Sequence, residues 1–360
     1  MAALQKGQTV LVTGESWRRR MVHSALPSLT FNMLFSQGAT GLIGAHVVEE
    51  CLRAGLKVRA TARSEEKAKK VRDVFSKTYG ADSIETVIVE DFIKDNAFDE
   101  AVKGVHGVAH IASVLSFSDK WDDVVEPSVK GTLVALEAAA KESSVTRVVI
   151  TSSSCALGMP SLDSPQTWDE KTWNDACVKS AKSEPNGWNV YAASKVMAER
   201  AGWDFVKNKK PQFALTTVNP NANFGHSHPA STTLSTNKWI TSLAKGDTSS
   251  VKDVCSQWFI NVTDVARLHV AGLVRDDVKD ERVLGFTQVF TWREVLDLIK
   301  KIESNAPEIK DADPKWLDDK DQTKVNTKRM KEILGADHIA DLELTIKQAL
   351  GKAPVHPPRA

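Results

Sequence analysis

The chain has 360 residues, 42% of them hydrophobic and 26% charged, with a formal net charge of +1. That length suits a large α/β core or two lobes sharing one interface, and the near-zero charge gives no electrostatic ground for nucleic acid or an anionic membrane as partner. Four cysteines without C-x-x-C or zinc spacing read as thiols of a reducing, cytoplasmic compartment; no signal peptide opens the chain and no apolar run approaches the ~20 residues that span a bilayer.

In chain order, the β-branched run 9–14, ending in Thr13-Gly14, predicts a buried first strand. Residues 41–52 carry apolar positions at helical spacing, closed by Ala54-Gly55. Between the two, residues 15–37 belong to neither element. Thr13-Gly14 joined directly to Ala39-Thr40-Gly41-Leu42-Ile43-Gly44 would give a continuous T-G-x-x-G-x-x-G turn, but the first glycine stands twice, at Gly14 and at Gly38. A phosphate-binding turn needs its first glycine at the strand end and its last where the helix packs on the sheet. Nothing in that physics requires the intervening segment. It reads as a translated intron or a gene-model error, with a genuine surface insertion as the alternative. The pyrophosphate cradle is expected from Gly14 or Gly38 with Thr40, Gly41, Leu42, Ile43 and Gly44.

The second strand is 57–63. An acidic residue about 20 residues past the glycines would hold a ribose 2′-hydroxyl, as in NAD-preferring folds. Here Arg63 takes that place, with Lys67 one turn into the next helix; cations there suit a 2′-phosphate and so NADP. A solvated arginine at a helix start is the plainer alternative. A charged helix 64–77 follows, then a third strand 84–89 leading into Glu90-Asp91, a fourth strand 105–112, a long helix 121–141 and a fifth strand 146–151. Apolar runs alternating with helices mean parallel βαβ units and a Rossmann-type, doubly wound α/β sheet. Ligands of such sheets bind outside the carboxyl ends of the strands, where Ser152, Ser153 and Ser154 stand.

Residues 157–188 read as a long lid loop. The next helix runs to about residue 209 and carries Tyr191-Ala192-Ala193-Ser194-Lys195. A tyrosine and a lysine four apart share one helix face, so the ammonium is expected to lower the phenol pKa and make a proton donor usable near neutral pH. Strand 213–218 leads to Asn219-Pro220 at another carboxyl end. His226-Ser227-His228 resembles a metal pair, but no third ligand stands at usable spacing, so no metal is expected. Asp264 is placed to cap helix 265–274, and 291–300 reads as an amphipathic helix. The expected division is a cofactor-binding domain over 1–220, a smaller, mainly substrate-binding lobe over 221–350 and a frayed tail over 351–360.

With the glycine turn, Arg63, the serines and Tyr191/Lys195 in place, the chain resembles the extended short-chain dehydrogenase/reductases. More narrowly it resembles fungal NADPH-dependent aldehyde and ketone reductases, relatives of methylglyoxal and dihydroflavonol reductases. The motifs that carry the resemblance are A-R-S-x-x-K through Lys67, Arg147-Val148-Val149-Ile150-Thr151-Ser152-Ser153, Trp168-Asp169-Glu170-Lys171-Thr172-Trp173, Tyr191 to Lys195, and Val218-Asn219-Pro220. The resemblance implies Ser153, Tyr191 and Lys195 as catalytic residues. It implies cofactor contacts at Gly41, Gly44, Arg63, Lys67, Asp91, Ala112, Tyr191, Lys195 and Pro220. It further implies NADPH/NADP as cofactor and a small carbonyl compound as substrate, in a monomer or homodimer. A nucleotide-sugar epimerase, a 3β-hydroxysteroid dehydrogenase-like enzyme, and an NADP-binding regulatory chain or one made inert by residues 15–37 are the alternatives.

Overall fold

The computed structural model describes residues 1–13, 39–232, 235–309 and 312–355. Gly14, Gly38 and the segment 15–37 lie outside the described residues. Strand β1 (Thr9–Thr13) is buried from Val10 onward, and helix α1 (Leu42–Arg53) turns its apolar residues into the core. Next come β2 (Lys57–Ala62), α2 (Glu65–Tyr79), whose N-cap Ser64 accepts from the Lys67 amide, and β3 (Ile84–Ile88).

Strand β4 covers only Gly107–His110. It stops short of the expected 112 because the Ile111 and Ala112 amides donate to the Thr13 hydroxyl instead of continuing a ladder, at 3.2 and 3.4 Å. Helix α3 (Trp121–Lys141) has the expected bounds, and β5 (Arg147–Thr151) follows.

The stretch expected as a loop contains a two-residue strand β6 (Thr167–Trp168) and a helix α4 (Asp175–Ser183). That helix buries only Cys177 and Ala181, too thin an apolar stripe to register as a period. Helix α5 (Gly187–Lys209), capped by Asn186, carries Tyr191 and Lys195. After it come β7 (Ala214–Pro220), β8 (Ala222–Phe224), α6 (Asn237–Leu243), β9 (Trp258–Asn261) and α7 (Val262–Val274). The cap of α7 is Asn261, not Asp264: the Asn261 side chain accepts from the Thr263 amide at 2.9 Å. Asp264 lies inside the first turn, paired with Arg267 at 2.7 Å. Strands β10 (Glu281–Gly285) and β11 (Gln288–Val289), helix α8 (Trp292–Ile302) with its Thr291/Glu294 capping box, and β12 (Lys324–Val325) complete the elements used below.

Seven strands form one sheet in the order β10-β7-β5-β4-β1-β2-β3, every pair parallel. This is the doubly wound Rossmann-type arrangement, with its reversal of strand order between β1 and β4. Helices α1 and α7 pack together on one face and α3 and α5 on the other, each pair over its own hydrophobic cluster. A third cluster gathers Phe224, Trp239, Phe259, Trp292 and Ile346 from the C-terminal part of the chain. The last strand of the main sheet, β10, also comes from that part. No helix among the described residues is long and apolar enough to cross a membrane.

Candidate active site

Because the sheet is parallel, the carboxyl ends of its strands share one rim. Arg63 follows β2, Asp91 lies shortly past β3, Ala112 just past β4, Ser153 past β5, and Pro220 ends β7. The Ser153 hydroxyl accepts from the Cys155 amide at 3.2 Å and so caps the short turn that follows. Its neighbour Ser152 points elsewhere, donating to Glu199 Oε2 at 2.6 Å. Helix α5 presents Tyr191 and Lys195 from consecutive turns, with Lys195 Nζ 5.5 Å from the centre of the Tyr191 ring. The same ammonium donates to Ser113 Oγ at 2.6 Å. Ser113 was not singled out from the sequence; its place just past a strand end was the available signal.

The electrostatics differ from the sequence expectation. Burial pushes the Tyr191 phenol well above its ordinary value, Cys155 adds to the rise, and the Ser153 hydroxyl partly offsets it. Burial also brings Lys195 down to about 8. The phenol is therefore not brought below its ordinary value here: desolvation disfavours both charged forms and sets the net direction, and the ammonium gives its hydrogen bond to Ser113. Beside it, burial first and the Lys195 charge second take His110 down to about 3. His110 Nδ1 bonds the Thr13 hydroxyl at 2.9 Å.

Ser153, Tyr191, Lys195 and Pro220 line one cavity of about 540 Å³, and Ile43 of the glycine turn lines it too. Phe117 and Trp188 add aromatic surface: their ring centres lie 4.7 Å apart, and those of Phe117 and Tyr191 5.2 Å. Gly187 permits this approach, since a Cβ there would stand 2.3 Å from the Phe117 carbonyl oxygen.

Next to Ile43, which lines the cavity, α1 begins at Gly41 with no side-chain cap and no acidic residue in its first turn. An uncapped, positive helix end of this kind suits an anion. Thr40, Leu42, Ile43 and Gly44 are buried around it, and the Thr40 carbonyl accepts from the Thr232 amide at 2.7 Å. Lys67 lies in the first turn of α2, and Asp91 Oδ1 accepts from the Ile93 amide at 3.1 Å. Gly14 and Gly38, also expected in the cradle, are outside the described residues.

His226 and His228 do gain a neighbour. His46 of α1 stands with its ring centre 6.2 and 5.6 Å from theirs. His46 Nδ1 is turned to the Leu42 carbonyl at 2.8 Å, and burial takes its pKa down to about 3. Among the described residues no group of three His, Cys, Asp or Glu side chains is arranged to hold a metal ion. All four cysteines are free thiols.

Residues 37–284 match the NAD dependent epimerase/dehydratase family. An aldehyde reductase 2 of Sporidiobolus salmonicolor is 40% identical over 280 residues, covering 75% of this chain and 81% of its own. A ketoreductase of Penicillium rubens is 34% identical over 275 residues, covering 76% and 81%. Among solved structures, yeast methylglyoxal/isovaleraldehyde reductase Gre2 complexed with NADPH is similar with a TM-score of 0.73 at 25% identity, over 87% of this chain and 96% of that one. With the fold, the strand-end rim and these relatives together, the chain belongs to the NAD dependent epimerase/dehydratase family, as an extended short-chain dehydrogenase/reductase.

Proposed function

We propose that this protein reduces aldehydes and ketones to alcohols with NADPH, Tyr191 donating the proton. The observation that carries the reading is the single cavity lined by Ser153, Tyr191, Lys195, Pro220 and the glycine-turn residue Ile43. The residues present fit the cofactor: an uncapped helix start suits its pyrophosphate, and Arg63 with Lys67 suits a 2′-phosphate. The family relatives named aldehyde reductase and ketoreductase support the same chemistry. Gly41, Gly44, Asp91 and Ala112 complete the proposed contacts, residues 221–350 are assigned mainly to substrate binding, and the compartment is the cytoplasm.

When bound, NADPH supplies the hydride. Ser153 donates a hydrogen bond to the substrate carbonyl oxygen, a positioned dipole where negative charge develops. Tyr191, kept protonated by burial, hands its proton to that oxygen. Lys195, anchored by Ser113, holds positive charge beside the phenol and favours the phenolate left after transfer. Phe117 and Trp188 wall the cavity and limit water around the reacting atoms.

The test is NADPH oxidation over a panel of aldehydes and β-keto esters, run on this chain and on one lacking residues 15–38. Turnover by either form supports the reading; turnover by the shortened form alone would also mark the segment as foreign to the working enzyme. No turnover by either form, with both folded, would overturn the reading.

A further inference from the structure

Tyr191 and Lys195 ride on helix α5, while Ser153 stands past the end of β5 on a short turn. Proton transfer to the substrate needs the serine hydroxyl and the phenol aimed at one oxygen, so the turn must be held against the helix. Within the turn, the Ser153 carbonyl accepts from the Ala156 amide at 3.0 Å and the Ser153 hydroxyl from the Cys155 amide at 3.2 Å. Those two bonds set the shape of the turn, not its place over α5.

A third bond reaches outside the turn. Asn219, fully buried near the end of β7, donates from Nδ2 to the Ser153 carbonyl at 3.3 Å. The same Nδ2 donates to Glu199 Oε2 at 2.8 Å. Glu199 lies one turn past Lys195 on α5, so Tyr191, Lys195 and Glu199 climb one face of the helix. Asn219 Oδ1 accepts from the Thr217 hydroxyl at 3.2 Å. With its amino group between two acceptors and its oxygen beside a donor, the carboxamide has one orientation; turned over, its oxygen would face a carboxylate and a carbonyl. The charge on the acid strengthens the Nδ2 bond, and burial keeps water from competing for it. Ser152 donates to the same acid at 2.6 Å. The chain on both sides of the Ser153 side chain is thus tied to one carboxylate of α5.

We propose that Asn219 is a positioning residue for carbonyl reduction: its carboxamide couples the Ser153 peptide to Glu199 and so keeps the serine hydroxyl in register with Tyr191 on the same helix. The proposal rests on the reductase reading, since Asn219 acts only through Ser153. Without the carboxamide the peptide after Ser153 loses its one bond to a side chain outside the turn shown here, and the hydroxyl can drift from the carbonyl oxygen it must meet. A displacement of about 1 Å at a reacting geometry is enough to slow turnover by an order of magnitude or more.

The test is a double-mutant cycle with Ser153→Ala, read by kcat on the best-reduced member of the aldehyde and β-keto ester panel. Ser153→Ala should lower kcat by about 10². Asn219→Leu removes both carboxamide bonds at similar volume and should lower kcat about tenfold or more, with NADPH affinity, read by quenching of tryptophan fluorescence, within about twofold of the parent. Added to Ser153→Ala it should cost less than about threefold further, because the group it positions is already gone. A general structural defect would cost the same in both backgrounds, and that result overturns the proposal. Unchanged kcat in Asn219→Leu overturns it too, as does unchanged kcat in Ser153→Ala. Thr217→Val is nearly the same shape and removes the hydroxyl that steadies Asn219 Oδ1; it should lower kcat about threefold in the parent and not measurably in Ser153→Ala. If Asn219→Leu does not fold, this second cycle decides: a Thr217→Val effect that is absent in the parent, or equal in both backgrounds, overturns the proposal. Turnover by the parent with additive effects sinks the positioning alone. No turnover of any panel member by the folded parent sinks the reductase reading, and the positioning with it.

Discussion

Arg282 of β10 and Glu199 of α5 form an ion pair inside the protein, with 2.7 Å between Nε and Oε1 and side chains 6% and 1% exposed. Glu199 also accepts from Ser152 Oγ, Thr217 Oγ1 and Asn219 Nδ2 at 2.6, 2.8 and 2.8 Å. Arg282 donates to the Glu170 and Thr172 carbonyls and stacks on Trp173 at 3.9 Å. Through this pair the ends of β5 and β7, where Ser153 and Pro220 stand, are tied to residues 170–172. Glu199→Gln leaves the guanidinium buried without its counter-charge and should cost about 3–5 kcal/mol. The double variant Glu199→Gln/Arg282→Met should lose less than the single one. Urea unfolding measures both; a single variant within about 1 kcal/mol of the parent would refute the role.

For Tyr191→Phe the expectation is narrower. Only the hydroxyl is removed, and the ring keeps its packing against Phe117. Turnover should fall by about 10² or more while NADPH affinity changes little. Unchanged turnover would take Tyr191 out of the chemistry.

The pH dependence follows from Lys195. Its pKa of about 8 means that the ammonium is lost as pH rises through that value, while the phenol, shifted up, keeps its proton. With the charge gone the phenolate left by proton transfer is less favoured, so kcat/KM for reduction should fall above about pH 8. Arginine stays charged through that range, so whatever activity Lys195→Arg retains should lack the alkaline fall. A pH profile of both proteins decides it; an identical fall in the variant would assign the titration elsewhere.

Local spacing made much of the site legible. Tyr191 and Lys195 are four apart on one helix, and periodicity brings the three serines 152–154 and the Asn219-Pro220 step to the rim of a parallel sheet, but only the resemblance singles out Ser153 and Pro220 among them. What stayed hidden depends on tertiary contact. Glu199 and Arg282 are 83 residues apart, His46 meets His226 and His228 only through the packing of α1, and no local pattern announces either meeting. The sign of the Tyr191 shift was missed for a related reason: sequence gives the distance between two charges along a helix but not how thoroughly water is excluded from both. Helix α4 was missed because most of its surface is polar.

Gly187 tests how tightly the aromatic wall is set. A Cβ there would meet a backbone oxygen of Phe117 at 2.3 Å, and a backbone atom cannot swing aside as a side chain can. Gly187→Ala should displace Phe117 and the start of α5, raising KM several-fold and lowering stability by about 1–3 kcal/mol. Substrate kinetics and a thermal melt check the two halves separately, and a variant that matches the parent in both would show that the contact yields freely.

The proposed cofactor preference rests on the end of β2. Arg63 follows the last strand residue, Ala62, and Lys67 lies in the first turn of α2, so two cations stand where an acid would hold an unmodified ribose. Arg63→Glu reverses one of them. The carboxylate would repel a 2′-phosphate and accept from a 2′-hydroxyl, so the two cofactors are affected in opposite directions. The ratio of kcat/KM with NADPH to that with NADH should drop by about 10² or more, a difference of about 2.7 kcal/mol in transition-state stabilisation. Lys67 remains in the variant, so some NADPH use should survive. Steady-state kinetics with both cofactors at one ionic strength measure the ratio, the salt being held fixed because screening weakens the phosphate contact. A ratio unchanged by the substitution would mean that Arg63 faces away from the ribose and that the preference is set elsewhere along the rim.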